Sequence, residues 1–295
     1  MIKKNILTTL FVLMSFTTML LAQGEVYGGF KAGINFSTID GPVEEFNGQE
    51  LENFRYTNGF HIGFSVNTML TDYFGLRGEF IYGQKGMEYT FNGSSFLPFY
   101  SEDGSSFVLT SGNRNSVLSL TTTHIDLPIS AFVKIGRLEL SCGLNASFQV
   151  GARATGEIIF NGISERGENI EALSIIVDAN YNNDKADNLS PLTESNNRLL
   201  DGQRVISPST IEAYYDAPGP IEPLYRRINF ALQGGVAFFL NQGLYLSIKG
   251  YYGLTDLTKE ESDYSFIELN EDNSIILRDD NDRDITIQTS VGFFF

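Results

Sequence analysis

The clearest pattern of hydrophobic and polar positions in this chain lies between His124 and Val150. Apolar residues occupy every second position over 125–135, and polar residues occupy most of the positions between them. After a Gly-Arg pair, the same alternation resumes over 138–150. A period of two is typical of β-strands, because successive side chains point to opposite faces. The stretch therefore predicts a hairpin of two strands.

The length of these two strands indicates where they lie. Each run has about 12 residues, whereas strands of soluble sheets usually have about 5–6. A tilted strand that crosses a bilayer needs about 9–11 residues. We interpret the hairpin as part of an outer-membrane barrel, with its apolar face toward lipid and its polar face toward the lumen.

Similar alternation recurs along the chain and predicts eight strands, joined by connections that are alternately short and long. The strands are predicted at 26–38, 59–70, 75–91, 124–135, 138–150, 227–240, 244–254 and 284–295. The short connections are 71–74, 136–137 and 241–243, and the long ones are 39–58, 92–118, 151–225 and 255–283. Short periplasmic turns and long external loops characterise membrane barrels. The predicted fold is all-β, an eight-stranded antiparallel transmembrane (outer-membrane) β-barrel with long extracellular loops.

The segment 151–225 breaks the regular pattern with clusters of Pro, Asn and Asp. Within it, residues 157–160 and 173–177 are apolar enough to extend strands above the membrane. Eight-stranded barrels have interiors that side chains just fill. A ten-stranded barrel, with two strands hidden in this segment, remains an alternative that would open a narrow pore.

The first 22 residues combine Lys3 and Lys4, an apolar core and a final small residue. This order predicts a cleaved secretory signal peptide at 1–22, and therefore a barrel domain at 23–295. The alternative is an uncleaved membrane anchor helix, which the Thr and Ser interruptions disfavour.

Acidic residues dominate the charge of the chain, whose formal net charge is −16. The four long connections contain 29 of its 36 Asp and Glu residues. We therefore expect an anionic external face and no nucleic-acid partner. Such loops are either simply solvated, or they bind cationic partners or divalent ions. The single cysteine, Cys142, excludes an internal disulfide and a cysteine–zinc site.

Two clusters of candidate chemistry are visible in the sequence. His61, His124 and Asp126 fall on the lumen face, where a hydrolase would need one of Ser65, Ser130 or Ser147 beside them. The competing interpretation is a network of paired lumen charges. Its members would be Lys31, Arg77, Glu79, Lys85, Asp126, Lys134, Glu139 and Lys249. We expect the network, and no catalytic residue.

The run 279–284 offers alternating oxygen ligands at Asp280, Asp282 and Asp284. It lacks the glycine and the bidentate glutamate of an EF-hand loop, and Arg283 lies among the ligands. We therefore expect neither a metal site nor a cofactor.

Several of these segments together resemble the PorT-like outer-membrane barrel proteins of Bacteroidota. The motifs are THIDLPISAFVKIG and LELSCGLNASFQVG in the central hairpin, GGFKAGINFSTIDG, LRGEFIYGQKGMEY, YYGLTDL and the terminal TSVGFFF. The resemblance implies an eight-stranded outer-membrane barrel. The family's namesake is linked to a protein secretion and gliding apparatus, but no residue here carries that role over. Phe295 also resembles the terminal aromatic signal that the barrel assembly machinery reads; the alternative is an ordinary outward residue.

Three functions remain open. The leading hypothesis is a non-enzymatic outer-membrane barrel, in contact with membrane lipid, whose loops 151–225 and 255–283 present an acidic surface to a protein or glycan partner. The first alternative is a structural or assembly component of a cell-envelope machine. The lesser alternatives are a barrel hydrolase that uses His124 and Asp126, and a narrow pore.

Overall fold

Eight antiparallel strands form a closed ring in the computed structural model, which describes residues 26–102, 104–184, 196–217 and 222–295. The strands are β1 Val26–Asp40, β2 Glu52–Met69, β3 Phe74–Tyr100, β4 Phe107–Ile135, β5 Leu138–Ser164, β6 Ile228–Phe239, β7 Leu244–Gly253 and β8 Arg283–Phe294. Each strand pairs with its neighbours in the chain, and β1 pairs with β8 to close the ring. The predicted eight-stranded barrel is confirmed.

The outward face of the ring carries a band of apolar side chains. Alternate side chains along every strand are exposed and hydrophobic, as the sequence predicts for a surface that contacts lipid. They include Phe30, Ile34, Phe64, Val66, Phe80, Ile129, Val133, Leu140, Leu144, Phe230, Leu232, Leu246, Ile248, Ile287, Val291 and Phe293. Buried polar residues occupy the positions between them. The alternation of apolar and polar residues in the sequence thus reflects the pleat of the strands, which directs successive side chains to opposite faces.

The strands β3, β4 and β5 continue far beyond this apolar band. On β4, the outward side chains change from apolar to mostly polar at Thr123, with Val117 as an exposed exception. The strand nevertheless extends back to Phe107 and stays paired with β3 and β5. The prediction of a loop at 92–118 is therefore wrong, since residues 92–100 and 107–118 are strand. Likewise β2 begins at Glu52 and not at residue 59.

The segment 151–225 adds further strands on top of the barrel. Continuation of β5 to Ser164 and a strand at Asn169–Asn180 confirm the two predicted extensions. Residues 138–148 of β5 pair with β6, whereas residues 153–163 of β5 pair with the strand Asn169–Asn180. This strand therefore continues the edge of β5 beyond β6 and lies outside the ring. Among the described residues, the ring therefore does not contain the two additional strands of a ten-stranded barrel.

Short strands complete the external part of the protein. They are Glu45–Phe46, Gln49–Glu50, Asn196–Leu200, Gln203–Ser207, Thr210–Ile211, Tyr264–Leu269 and Ile275–Leu277. We call the strand extensions of β3–β5, together with residues 169–180, 196–217 and 255–282, the external platform. A continuous hydrophobic core fills it, built from buried residues such as Phe99, Phe160, Ile175 and Tyr215.

No helix in the described part of the chain is long and apolar enough to cross a membrane. The predicted signal peptide, residues 1–22, lies outside the described residues.

Candidate functional site

The lumen of the barrel is filled by buried charges that pair with one another. Lys31 Nζ lies 3.0 Å from Glu79 Oε1, and Lys249 donates a hydrogen bond to the other oxygen of the same carboxylate. Arg77 forms two bonds to Glu139, at 2.8 and 2.9 Å. These contacts form part of the expected network of paired lumen charges. Such pairing is required, because a charge buried in a lumen is stable only when it has a partner.

A third group of charges lies above these pairs. Lys85 Nζ lies 2.9 Å from Asp284 Oδ2 and 3.8 Å from Asp126 Oδ2. Lys134 was expected to belong to the network of paired charges. Instead, its Nζ lies 4.0 Å from the centroid of the Phe239 ring, at the end of the barrel where the short turns connect the strands. It therefore makes a cation–π contact.

The histidine–aspartate pair suggested by the sequence does not form a catalytic arrangement. His124 is hydrogen-bonded through Nδ1 to Ser147 Oγ at 3.0 Å and through Nε2 to Thr122 Oγ1 at 2.8 Å. Asp126 accepts a hydrogen bond from Asn145 at 3.1 Å. The serine and the histidine are thus in contact, but the carboxylate that would orient the imidazole has other partners. His61 lies elsewhere and contacts Ser290 Oγ at 2.8 Å.

Little free space lies around this histidine. A cavity of only about 30 Å³ lies beside His124, and Tyr225 and Leu257 are among its lining residues. At the short-turn end, the rings of Phe239, Tyr245 and Phe294 pack within 5.9 Å of one another. A cavity of this size has room for about one or two water molecules.

Two larger cavities lie in the external platform. Their volumes are about 100 and 130 Å³, and both are lined by Arg114, Tyr181, Asp263 and Phe266. Arg114 is buried between them. Its Nη2 lies 2.6 Å from Asp216 Oδ2, and its guanidinium carbon lies 4.6 Å from the centroid of the Phe266 ring.

Carboxylates cluster at the base of the loop 255–282. Asp263, Asp280 and Asp282 each place one oxygen within 4.8 Å of the other two. Burial, reinforced by the neighbouring carboxylates, raises the pKa of Asp282 to about 7. Burial also raises the pKa of Asp263, to about 8. We call these three residues the aspartate cluster.

The aspartate cluster differs from the ligand set suggested by the sequence. Asp280 and Asp282 belong to it, but Asp284 is the second residue of β8 and points into the lumen toward Lys85. Asp263 takes its place, although it is distant in sequence. The spacing of residues gave no signal for Asp263, and none for the Arg114–Asp216 pair, because each depends on how the external segments pack.

Comparison with known families identifies the family to which this chain belongs. Residues 21–259 match the family described as "Outer membrane protein beta-barrel domain". The chain belongs to this family, and it is an outer-membrane protein. No curated protein matches the sequence.

Solved structures of other bacterial proteins are similar in fold only. Ail of Yersinia pestis, solved in complex with the heparin analogue sucrose octasulfate, is 12% identical with a TM-score of 0.34, over 92% of this chain and 99% of that one. OprG of Pseudomonas aeruginosa is 10% identical with a TM-score of 0.33, over 92% and 98%. The outer membrane protease OmpT of Escherichia coli is 6% identical with a TM-score of 0.29, over 92% and 96%.

Proposed function

We propose that this protein is a non-enzymatic scaffold of the outer membrane, and that its external platform binds a protein or glycan partner at the cell surface. The observation that carries the proposal is the platform itself. Three barrel strands extend beyond the lipid-facing band and, with the loops, enclose a hydrophobic core outside the membrane. A barrel that served only as a membrane plug would need no such structure. Loops on a rigid scaffold commonly carry binding function.

The interior of the barrel supports a role without catalysis or transport. The lumen is packed with paired charges, and the cavity beside His124 has only about 30 Å³. A hydrolase needs access for a substrate beside its nucleophile, and a pore needs a continuous path. The buried Ser147–His124 contact offers neither.

The charge of the external connections indicates the chemistry of the partner. Most acidic residues of the chain lie there, and many of them are exposed, including Glu157, Glu171 and Asp279. A surface of one sign steers partners of the opposite sign and excludes those of the same sign. We therefore expect a partner with a basic surface, or a glycan without acidic groups.

Removal of most of the platform, with only the loop 255–282 and short strand ends retained, tests this function. A variant without residues 93–114 and 155–222 keeps the pairs at the level of the membrane, because Asn92 and Asn115 are opposite each other in β3 and β4. A short Asn-Gly turn would join them. Full-length protein should bind a discrete subset of a glycan array or of a panel of purified basic proteins, and the variant should bind none.

One control and two possible outcomes make this experiment decisive. The variant must still migrate faster on SDS gels without boiling, which shows a folded barrel. Equal binding by the variant and by the full-length protein would contradict the proposal, as would binding of nothing on either panel by the full-length protein.

A second candidate function is a component of a cell-envelope machine, which the PorT-like motifs favour. The central hairpin, Thr123–Gly151, carries two of the six motifs of that resemblance and lies at membrane level. In this case, partners cross-linked in native membranes would remain attached to the variant that lacks residues 93–114 and 155–222. The same resemblance supports the proposal that the source is a member of the Bacteroidota.

We also propose that the barrel assembly machinery recognises the last strand. Phe295 is 76% exposed and its backbone N–H donates a hydrogen bond to Gly28 O at 3.0 Å. An exposed terminal aromatic residue on a strand is available for recognition by strand addition. Replacement of Phe295 by Ser should slow membrane insertion in cells without lowering the stability of barrels folded in detergent.

A further inference from the structure

The aspartate cluster brings three carboxylates to one point at the base of an external loop. One oxygen each from Asp263, Asp280 and Asp282 lies within 4.8 Å of the others. Calcium binds oxygen ligands at about 2.3–2.6 Å, so ligands on opposite sides of one ion are up to about 5 Å apart. We propose that these three residues bind a single Ca²⁺ ion.

An unpartnered oxygen in the cluster is a second observation that points to a ligand. Asp282 is only 9% exposed, and its Oδ1 is buried and receives no hydrogen bond from the described residues. Its Oδ2 accepts one from Thr258 Oγ1 at 3.3 Å. A buried carboxylate oxygen without a donor is unfavourable, because its lost hydration is not replaced. A bound cation would replace it.

The charges around the cluster also favour a cation. Arg278 Nη2 lies 2.7 Å from Asp280 Oδ2, but Arg278 Nη1 also lies 3.2 Å from Glu52 Oε2. The charge of this guanidinium is therefore divided between two carboxylates. Asp256 adds a further carboxylate, whose Oδ1 accepts a hydrogen bond from the backbone N–H of Asp282 at 3.0 Å and whose Oδ2 lies 3.7 Å from Arg226 Nη2. The carboxylates around the cluster still outnumber these two arginines. A divalent ion would balance this excess of negative charge.

Space for the rest of a coordination shell lies next to the cluster. Asp263, Asp282 and Thr258 line the cavity of about 130 Å³ in the external platform. Calcium takes about 6–8 oxygen ligands, and water fills the positions that protein leaves open. The donors here are oxygens, which suit hard cations and do not favour zinc or copper.

Such an ion would fix the shape of the loop. Asp263 directly precedes the strand Tyr264–Leu269, while Asp280 and Asp282 follow the strand Ile275–Leu277. The ion would join both ends of this hairpin. Since Arg278 also donates a hydrogen bond to Pro42 O at 2.9 Å, the hairpin would be held against the connection between β1 and β2. Calcium would thus order one part of the acidic surface.

Calorimetric titration of Ca²⁺ into the full-length, detergent-folded protein tests this site. We expect one ion per chain, with an affinity typical of extracellular sites, a Kd of about 10⁻⁴–10⁻³ M. Asp282→Asn should weaken binding by about tenfold or more, because it removes one charged ligand. The matched control is Asp279→Asn, an exposed neighbour outside the cluster, which should change the affinity by less than about twofold.

Limited trypsin digestion provides a structural readout. Ca²⁺ should slow cleavage after Lys259 in the wild type and in Asp279→Asn, but not in Asp282→Asn. A variant that shows no heat-modifiable band would be replaced by Asp280→Asn, for which the same losses are expected. Absence of binding up to about 10 mM Ca²⁺, equal weakening in the control, or equally tight binding of Mg²⁺ would overturn the proposal.

Discussion

Lys31 in β1 and Glu79 in β3 form a buried ion pair across the barrel lumen, with 3.0 Å between Nζ and Oε1. The same glutamate receives a hydrogen bond from Lys249 in β7. One carboxylate thus connects β1, β3 and β7, no two of which are neighbours in the ring. Because both lysines are almost fully buried, Glu79 is the group whose loss leaves the most charge without a partner.

Substitution Glu79→Ala should therefore destabilise the barrel strongly. Removal of one partner from a buried ion pair costs about 3–5 kcal/mol, since the remaining charge stays desolvated. Reversible urea unfolding of the detergent- or lipid-folded protein measures this loss. Asp178→Asn is the control, because its bond to Arg153 is on the surface and is worth about 1 kcal/mol or less. Similar losses in the two variants would contradict the role given to Glu79.

Gly33 allows β1 and β8 to approach each other closely. A Cβ atom at this position would lie 1.8 Å from the carbonyl oxygen of Thr289. Gly33→Ala should lower the free energy of unfolding by about 1–3 kcal/mol, as overpacking does in a dense core. Gly250 in β7 faces open space, so Gly250→Ala is the matched control. If the control is destabilised as much as Gly33→Ala, close approach is not the cause.

Cys142 offers a direct measurement of the lipid-facing surface. It is exposed on β5, on the same face as Leu140 and Leu144. In lipid vesicles, we expect a charged maleimide to label it slowly and a membrane-soluble maleimide to label it rapidly. Unfolding in SDS with boiling should make the charged reagent react fully. Rapid labelling by the charged reagent in intact vesicles would show that this face contacts water.

The Arg114–Asp216 pair should stabilise the platform and not the barrel. Asp216→Asn leaves the buried guanidinium of Arg114 without its anionic partner, which lies at 2.6 Å in the wild type. We expect proteolysis within 196–217 to increase severalfold, because buried ion pairs are costly to break. The heat-modifiable band should remain. Loss of that band would show that the platform and the barrel fold as one unit.

The membrane-level strands could be predicted from the sequence because lipid and lumen impose opposite chemistry on alternate residues. Ile129 and Ser130 illustrate this, since one is exposed to the membrane side and the other is buried in the lumen. Above the membrane this contrast disappears. Asn113, Asn115 and Arg114 are all polar although they lie on opposite faces of β4. No alternation of hydropathy was left there to indicate a strand.

The candidate site was predicted in part for a similar reason. Asp280 and Asp282 share a face by their spacing, which the sequence shows. Asp284 was wrongly grouped with them, because β8 begins at Arg283 and directs the Asp284 side chain into the lumen. Asp263 reaches the cluster only because the hairpin between Tyr264 and Leu277 returns the chain to its starting point.

The pairing of β1 with β8 has a consequence for the way in which the chain folds. Gly29 lies opposite Phe294, so the contacts that close the ring join residues from the two extremes of the sequence. Contacts of this kind form slowly, since a long loop must close before they contribute any stability. Until then β1 presents an open edge that is prone to pair with other chains. The rate of this last step, more than the strength of any single ion pair, should determine how much of the newly synthesised protein becomes a barrel and how much aggregates.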